Sequence, residues 1–300
     1  MSFRVVLIEN SAELRYKLDN LMVVIEGKET WIPFSDISTI VVDSLNISIS
    51  SRVLNAIAEA NITLITCDYN HLPFGLFTAF NNHSRASKVM GYQIEIHQKT
   101  KDEFWQEFVK AKILNQYKVL KQLGYEVGLD KLTDYMEKVQ LGDATNREAH
   151  AAKVYFNQLM GKSFSRGDDN ILINSGLNYG YTIIRSFLAR LCVGYGLNTM
   201  IGIHHKNEYN RFSLIDDLME PVRPLVDLYV FQLMKDSRYF TREHRHQLIN
   251  IVNHKIFYND KKQFLGNAME EYVCSFVSAI KNQVITGLEF FDVDSYMGEV

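Results

Sequence analysis

NNHSRASKVMGYQIEIHQ, residues 81–98, is polar, has no strong hydrophobic period, and separates two parts of the chain whose apolar residues repeat differently. Upstream, FRVVLI (3–8), AELRYKL (12–18), LMVVIEG (21–27), ETWIPF (29–34) and STIVVD (38–43) are short runs rich in β-branched and aromatic residues, punctuated by Asn, Asp, Gly or Ser. They predict a compact antiparallel β unit. SSRVLNAIAEANI (50–62) changes to a helical period, with Val53, Leu54, Ile57 and Ala60 on one side; ITLITCD (62–68) returns to a buried strand and PFGLFTAF (73–80) closes the unit. Downstream the helical period dominates. FWQEFVKAKILNQYKVLKQLG (104–124) spaces Phe108, Ile113 or Leu114, and Leu120 as a helix does, with Gly124 as its stop. Further helical segments fall near 130–140, 146–161, 174–196, 214–235, 241–254 and 263–282. The expected fold is α+β and multidomain: a small N-terminal antiparallel β domain over 1–80, a connector over 81–98, and a larger all-α domain over 99–300.

Composition narrows the class. With 300 residues, 47% of them apolar and 22% charged, and only 4 prolines and 16 glycines, the chain reads as globular, without low-complexity tracts or repeats. No run reaches the ~18 apolar residues of a membrane span, and MSFRVVLIEN has neither a charged leader region nor a cleavage site. A cytoplasmic location is expected. Cys67, Cys192 and Cys274 are far apart and form no CxxC pair, so they are read as buried thiols rather than disulfide or zinc residues. The net charge of −3 is unevenly spread: residues 1–80 carry 5 Lys/Arg against 9 Asp/Glu, whereas residues 81–121 carry 8 against 4. That basic stripe holds Arg85, Lys88, Lys110, Lys112, Lys118 and Lys121, interleaved with Tyr92, Trp105 and Tyr117. It is either a track for a phosphate backbone or a solvated helix face.

A second polar concentration is GIHHKNEYNRFSLIDDLMEPVRP, 202–224. Asp217 and Glu220 are three apart and Asp216 and Glu220 four apart, so on a helix either pair shares a face, while Asp216 and Asp217 diverge by about 100°. Adjacent side chains point apart in helix and strand alike, so His204 and His205 have different jobs. One imidazole with one or two carboxylates suits Mn²⁺ or Mg²⁺ better than Zn²⁺. A further ligand is needed, and Glu148, among Ala144, Ala149, Ala151 and Ala152, is the candidate. Spacing alone favours a solvated acidic face and a hydrogen-bonded structural histidine over a metal site. His244 and His246, two apart in TREHRHQ, are read as surface residues, or at most phosphate contacts.

Taken together the segments resemble the Cas-one family, the CRISPR adaptation integrases that insert spacers into a repeat array. The 202–224 stretch is similar to that family's GxxH and SLxxDLMExxRP motifs, NREAHAAKVYF (146–156) to its Glu-containing segment, AKILNQ (111–116) to its KxxNQ helix, and NSGLNYGYTIIRSFLARLCVGYGLN (174–198) to its LNYGY segment. The resemblance covers essentially the whole chain and is greatest to the type II-A branch. It implies Glu148, His205 and Glu220 as metal ligands, with Asp217 as a supporting catalytic acid, and leaves His204 and Asp216 outside. Pro221 directly after Glu220 leaves open whether a helix begins there or Glu220 sits on a distorted turn.

What the resemblance implies is a Mn²⁺- or Mg²⁺-dependent DNA endonuclease and integrase. In this reading a 3′ hydroxyl of a prespacer duplex attacks a phosphodiester at the repeat edge, and Arg223 pairs with a carboxylate or phosphate. Arg85, Lys88, Lys110, Lys112, Lys118 and Arg223 are the expected DNA contacts. The implied assembly is a homodimer through the β domain, two of which flank a small Cas-two adaptation protein in a heterohexamer. The RNA-guided nuclease and an end-binding ring protein are the additional type II-A partners. The rival classes are a metal phosphohydrolase of small molecules, a non-catalytic DNA-binding scaffold and a purely structural protein.

Overall fold

The computed structural model describes residues 4–80, 83–168 and 170–298; Phe3 of the first expected strand and Asn81 and Asn82 of the connector lie outside them. Its N-terminal part contains two four-stranded sheets. One runs in the order β1 (Arg4–Ile8), β5 (Ile37–Val42), β7 (Thr63–Cys67), β8 (Pro73–Phe77). The other runs in the order β4 (Lys28–Pro33), β3 (Asn20–Ile25), β2 (Ala12–Lys17), β6 (Ile47–Ile49). Every residue of β5 is buried because this strand has a core on both faces. Ile40 and Val42 pack with Leu14, Leu21 and Val53 in the N-terminal core, while Val41 between them joins Ile65 and Cys67 in the core of the helical body. That is the alternation of a pleated strand used twice.

The expectation of an antiparallel unit is corrected in part. The pairs β2/β3, β3/β4 and β7/β8 are antiparallel, but β1/β5, β5/β7 and β2/β6 are parallel. For β5 and β7 the reason is the helix α1 (Ser51–Glu59), which lies on the path between them and carries the chain back across the sheet, as a parallel pair requires, whereas β1 and β5 are joined through β2, β3 and β4 of the second sheet. Ser50 caps α1 by accepting from the Val53 N–H, and Val53, Ala56 and Ile57 are its buried face.

The rest is mostly helical: α2 (Ala86–Ile94), α3 (Gln98–Gln122), α4 (Leu129–Glu137), α5 (Arg147–Leu159), α6 (Leu172–Gly194), α7 (Ser213–Met219), α8 (Arg223–Met234), α9 (Arg242–Ile249) and α10 (Leu265–Asn282). The expected all-α body also contains a hairpin, β9 (Lys255–Tyr258) with β10 (Lys261–Phe264), turned by Asn259 and Asp260 at positive φ. Asn and Asp tolerate that left-handed backbone. Helix α2 takes up half of the expected polar connector, and the expected helix over 214–235 is two helices broken at 220–222.

Helix α3 is enclosed by α4, α5 and α8, and its stripe Trp105, Phe108, Val109, Lys112 and Gln116 is buried. Against α6, helix α8 comes close because Gly176 and Gly180 have no side chain; a Cβ at Gly180 would stand 2.8 Å from Val226 Cγ1. Helix α9 is tied to the first sheet by ion pairs. Glu9 accepts from Arg242 and lies 2.7 Å from His246 Nε2, and Asp43 accepts from Arg245 at 3.2 Å. His246 therefore pairs across elements instead of lying free at the surface. Cys67 and Cys192 are buried, as expected; Cys274 is exposed on α10.

Candidate active site

Four segments converge beside α3. Asp143, buried at the end of a short 3-10 helix, accepts from the Arg147 N–H at 2.7 Å and the Glu148 N–H at 2.9 Å. A carboxylate there satisfies two of the N–H groups that begin α5 and fixes the helix turn that carries Glu148. Asp143 and Asn146 both hold positive φ, so the chain bends sharply into α5 at residue types that accept such a backbone.

The loop from Gly202 to His205 wraps a single buried carboxylate. Asp217 is fully buried and accepts from the backbone N–H of Ile203 (2.6 Å), His204 (3.1 Å) and His205 (3.2 Å), with His205 Nδ1 2.6 Å from its Oδ1. Gly202 is required by contact: a Cβ there would stand 2.5 Å from the His205 carbonyl oxygen and 2.8 Å from Asp217 Oδ2. The hydrogen bond to Asp217 raises the pKa of His205, while burial lowers that of His204. The two imidazoles part as adjacent residues must. His204 stacks on Trp105 at 4.1 Å between ring centroids and 3° between planes.

Glu220 sits at the joint between α7 and α8. It keeps helical φ and ψ as the residue that caps the end of α7, and Pro221 and Val222 continue the turn. Pro224, not Pro221, occupies the first turn of α8, where its missing N–H costs nothing. Arg223 Nε donates to Glu220 Oε1 at 2.8 Å and Lys112 Nζ lies 2.5 Å from Glu220 Oε2. Burial would push Glu220 up, but Arg223 and Lys112 hold it down at about 2. Lys112 also donates to Glu148, so one ammonium bridges two carboxylates 72 residues apart in sequence. Burial alone would lower Lys112; Glu220 and Glu148 more than offset it.

Glu148 and Glu220 divide two cavities. One, of about 480 Å³, is lined by Trp105, Asp143, Asn146, His204, His205 and Lys206 as well as both glutamates. The other, of about 550 Å³, is lined by the same two glutamates with Lys112, Gln116, Lys162, Arg166, Tyr181, Arg223 and Asp227 among others. Asp227 accepts from Tyr181 and is pushed up to about 6 by burial.

The structure thus brings Glu148, His205 and Glu220 to one cavity and places Asp217 behind His205. Asp216 is occupied by Arg185 and Asn210. Among the described residues no three His, Cys, Asp or Glu side chains are gathered at the spacing of a metal shell; the two glutamates are drawn onto Lys112 instead. The expected basic stripe is not continuous. Lys112 is interior, Lys110 pairs with Glu107, Lys118 pairs with Asp292 and Asp294, and Arg223 is held by Glu220. Arg85, at the start of α2, and Lys88 within it are exposed. Asp143, the Trp105–His204 stack and the Tyr181–Asp227 pair were not singled out in the sequence. Only Asp143 leaves a trace there, as an acid just ahead of a helix start.

The family described as "CRISPR associated protein Cas1" matches residues 5–259 of this chain. The chain is 33% identical over 286 residues to the CRISPR-associated endonuclease Cas1 of Neisseria meningitidis serogroup C, covering 94% of each. Among solved structures it is similar to a casposase bound to integration product, with a TM-score of 0.78 and 18% identity over 100% of this chain and 96% of that one. It is also similar to a chain of a Cas6-RT-Cas1–Cas2 complex, with a TM-score of 0.77 and 19% identity over 96% of this chain and 36% of that one.

Proposed function

This chain belongs to the CRISPR-associated Cas1 family, and on that premise we propose that it is a metal-dependent DNA endonuclease and integrase of CRISPR adaptation. The observation that carries the reading is the convergence of Glu148, His205 and Glu220 on one cavity, with His205 oriented by Asp217.

The donor set fits Mn²⁺ or Mg²⁺: two carboxylates and one imidazole, the carboxylates already sharing a cation, the Lys112 ammonium. Bound by Glu148, His205 and Glu220, such an ion would neutralise charge on a phosphodiester and favour the ionised hydroxyl. Asp217 is a positioning residue. Its oxygens are filled by three backbone N–H groups and one imidazole, which fixes the ring and leaves Nε2 as the free nitrogen. Asp143 holds the start of α5 and with it Glu148, and Arg223 holds Glu220.

The reaction is a transesterification. A prespacer 3′ oxygen bonds to phosphorus, the repeat's own P–O3′ bond breaks, and the departing oxygen takes up the proton. One phosphodiester replaces another, so no nucleotide cofactor is needed and the protein's work is alignment and charge stabilisation.

Two insertions at the ends of one repeat need two spaced sites, which a symmetric assembly supplies. We assign the β-rich part (1–80) to homodimer formation, 81–98 to the connector and 99–300 to the catalytic body. Cas2 is the proposed partner, supported by the Cas1–Cas2 complex among the similar folds. The proposed location is the cytoplasm; among the described residues no helix is long and apolar enough to cross a membrane. The RNA-guided nuclease and the end-binding ring protein are proposed on the type II-A resemblance alone.

Strand transfer tests this reading: a duplex with free 3′ ends, a supercoiled plasmid carrying leader and repeat, Cas2, and Mn²⁺ or Mg²⁺. Joined product is expected from the native chain and not from Glu148→Ala or His205→Ala. Normal joining by either folded variant would sink the site assignment.

A further inference from the structure

We propose that Lys112 is the resident cation of the Glu148–Glu220 pair, holding the two carboxylates together until a divalent ion displaces it, so that affinity for the ion is set by competition with this ammonium. Lys112 takes this role only if Glu148 and Glu220 are ligands, which is the reading proposed above.

Glu220 is buried and Glu148 is partly buried beside it, so two anions brought together here must be compensated, the buried one above all. Arg223 engages one oxygen of Glu220; the other oxygen and Glu148 Oε1 both go to Lys112. The same oxygens cannot serve an ion while the ammonium holds them. Lys112 is 8% exposed and its backbone is fixed within the buried stripe of α3, but its flexible four-carbon stem lets the ammonium move.

The cavities supply the path. His205 faces the glutamates from the 480 Å³ side and Lys112 from the 550 Å³ side, so neither cation has to pass the carboxylates for the exchange to occur. On leaving, Lys112 stays in a cavity lined by Gln116 and Asp227, an oxygen acceptor and a buried carboxylate.

The test is Mn²⁺ titration of the metal-free full chain, by calorimetry and by melting temperature, for the native protein, Lys112→Met and Glu148→Gln. Methionine keeps the stem and removes the charge. The expected result is a Mn²⁺ dissociation constant at least tenfold lower in Lys112→Met, a larger Mn²⁺-dependent rise in Tm than in the native chain, and loss of binding in Glu148→Gln. If folded Lys112→Met binds Mn²⁺ no more tightly while Glu148→Gln binds none, Lys112 is not the competitor and the ligand reading survives. If Glu148→Gln binds as the native chain does, the ligand reading fails and this role fails with it. Should Lys112→Met not fold, acetylation of native Lys112 read by mass spectrometry decides. Mn²⁺ is expected to raise its labelling severalfold by releasing the ammonium, and unchanged labelling overturns the proposal.

Discussion

His205 Nδ1 lies 2.6 Å from Asp217 Oδ1, and the same carboxylate accepts the backbone N–H of His205 at 3.2 Å. Ring and main chain are held by one anion, so the remaining Nε2 is fixed in direction before any ligand arrives. Asp217→Asn keeps the shape but replaces one acceptor oxygen with an NH₂ that faces donors. We expect Mn²⁺ affinity to fall about 10–100-fold and stability by about 1–3 kcal/mol from the unsatisfied N–H groups. Calorimetric titration and urea denaturation read the two effects separately; native-like affinity would remove Asp217 from its positioning role.

Gly202→Ala attacks the same arrangement from the backbone. The added Cβ meets the His205 carbonyl oxygen and Asp217 Oδ2, neither of which is a flexible end. Overpacking of this kind costs about 1–3 kcal/mol, and relief requires the loop to move off Asp217. Strand transfer is expected to drop about 100-fold or more, since misplacement of a catalytic group by about 1 Å costs that much. A variant with native melting temperature and native rate would show that the loop tolerates the shift.

How much of this was legible beforehand depends on the kind of signal. The change of hydrophobic period around 81–98 was readable because β-branched runs and helical stripes are local patterns, and Glu148, His205 and Glu220, which line one cavity, stood out because ordered motifs carry them. Strand direction was not, because whether β5 pairs β7 in parallel depends on how a crossover closes in space. Lys112 shows a different limit. It lies at helical spacing from Trp105, Phe108 and Val109 and so on the buried stripe of α3, yet a run of lysines draws the eye to charge first. Its partners Glu148 and Glu220 come from two other helical segments, which no local pattern announces. Asp143 was missed for a related reason: a capping acid ahead of α5 is common, and only the fold sets it in the cavity wall.

The basic residues separate into two groups with different expected salt behaviour. Arg85 and Lys88 are exposed on or next to α2, whereas Lys110 and Lys118 already pair with carboxylates of the same chain. If the exposed pair meets DNA phosphates, replacing both with Ala reduces the slope of log K against log salt by up to about 2, roughly 0.9 per lost phosphate contact. Lys110→Ala and Lys118→Ala are expected to change it little. Fluorescence anisotropy with a duplex across a salt series measures this, and equal slopes for all variants would place the DNA elsewhere.

His254 sets an acid limit on the fold. It is buried, its Nδ1 lies 2.6 Å from the Tyr296 hydroxyl, and burial lowers its pKa from 6.5 to about 4. The unfolded chain therefore binds a proton on this ring at a pH where the folded chain does not. The stability from the neutral ring is fully present above pH 6.5 and is lost as pH falls through the interval towards 4, levelling below it. Between pH 7 and pH 5 the loss is about 2 kcal/mol on the linkage of 1.36 kcal/mol per pKa unit. His254→Gln retains a hydrogen-bonding side chain without the titration. Urea denaturation at the two pH values should show the native chain weakening by about that much more than the variant; parallel behaviour would mean that His254 is not the group that titrates.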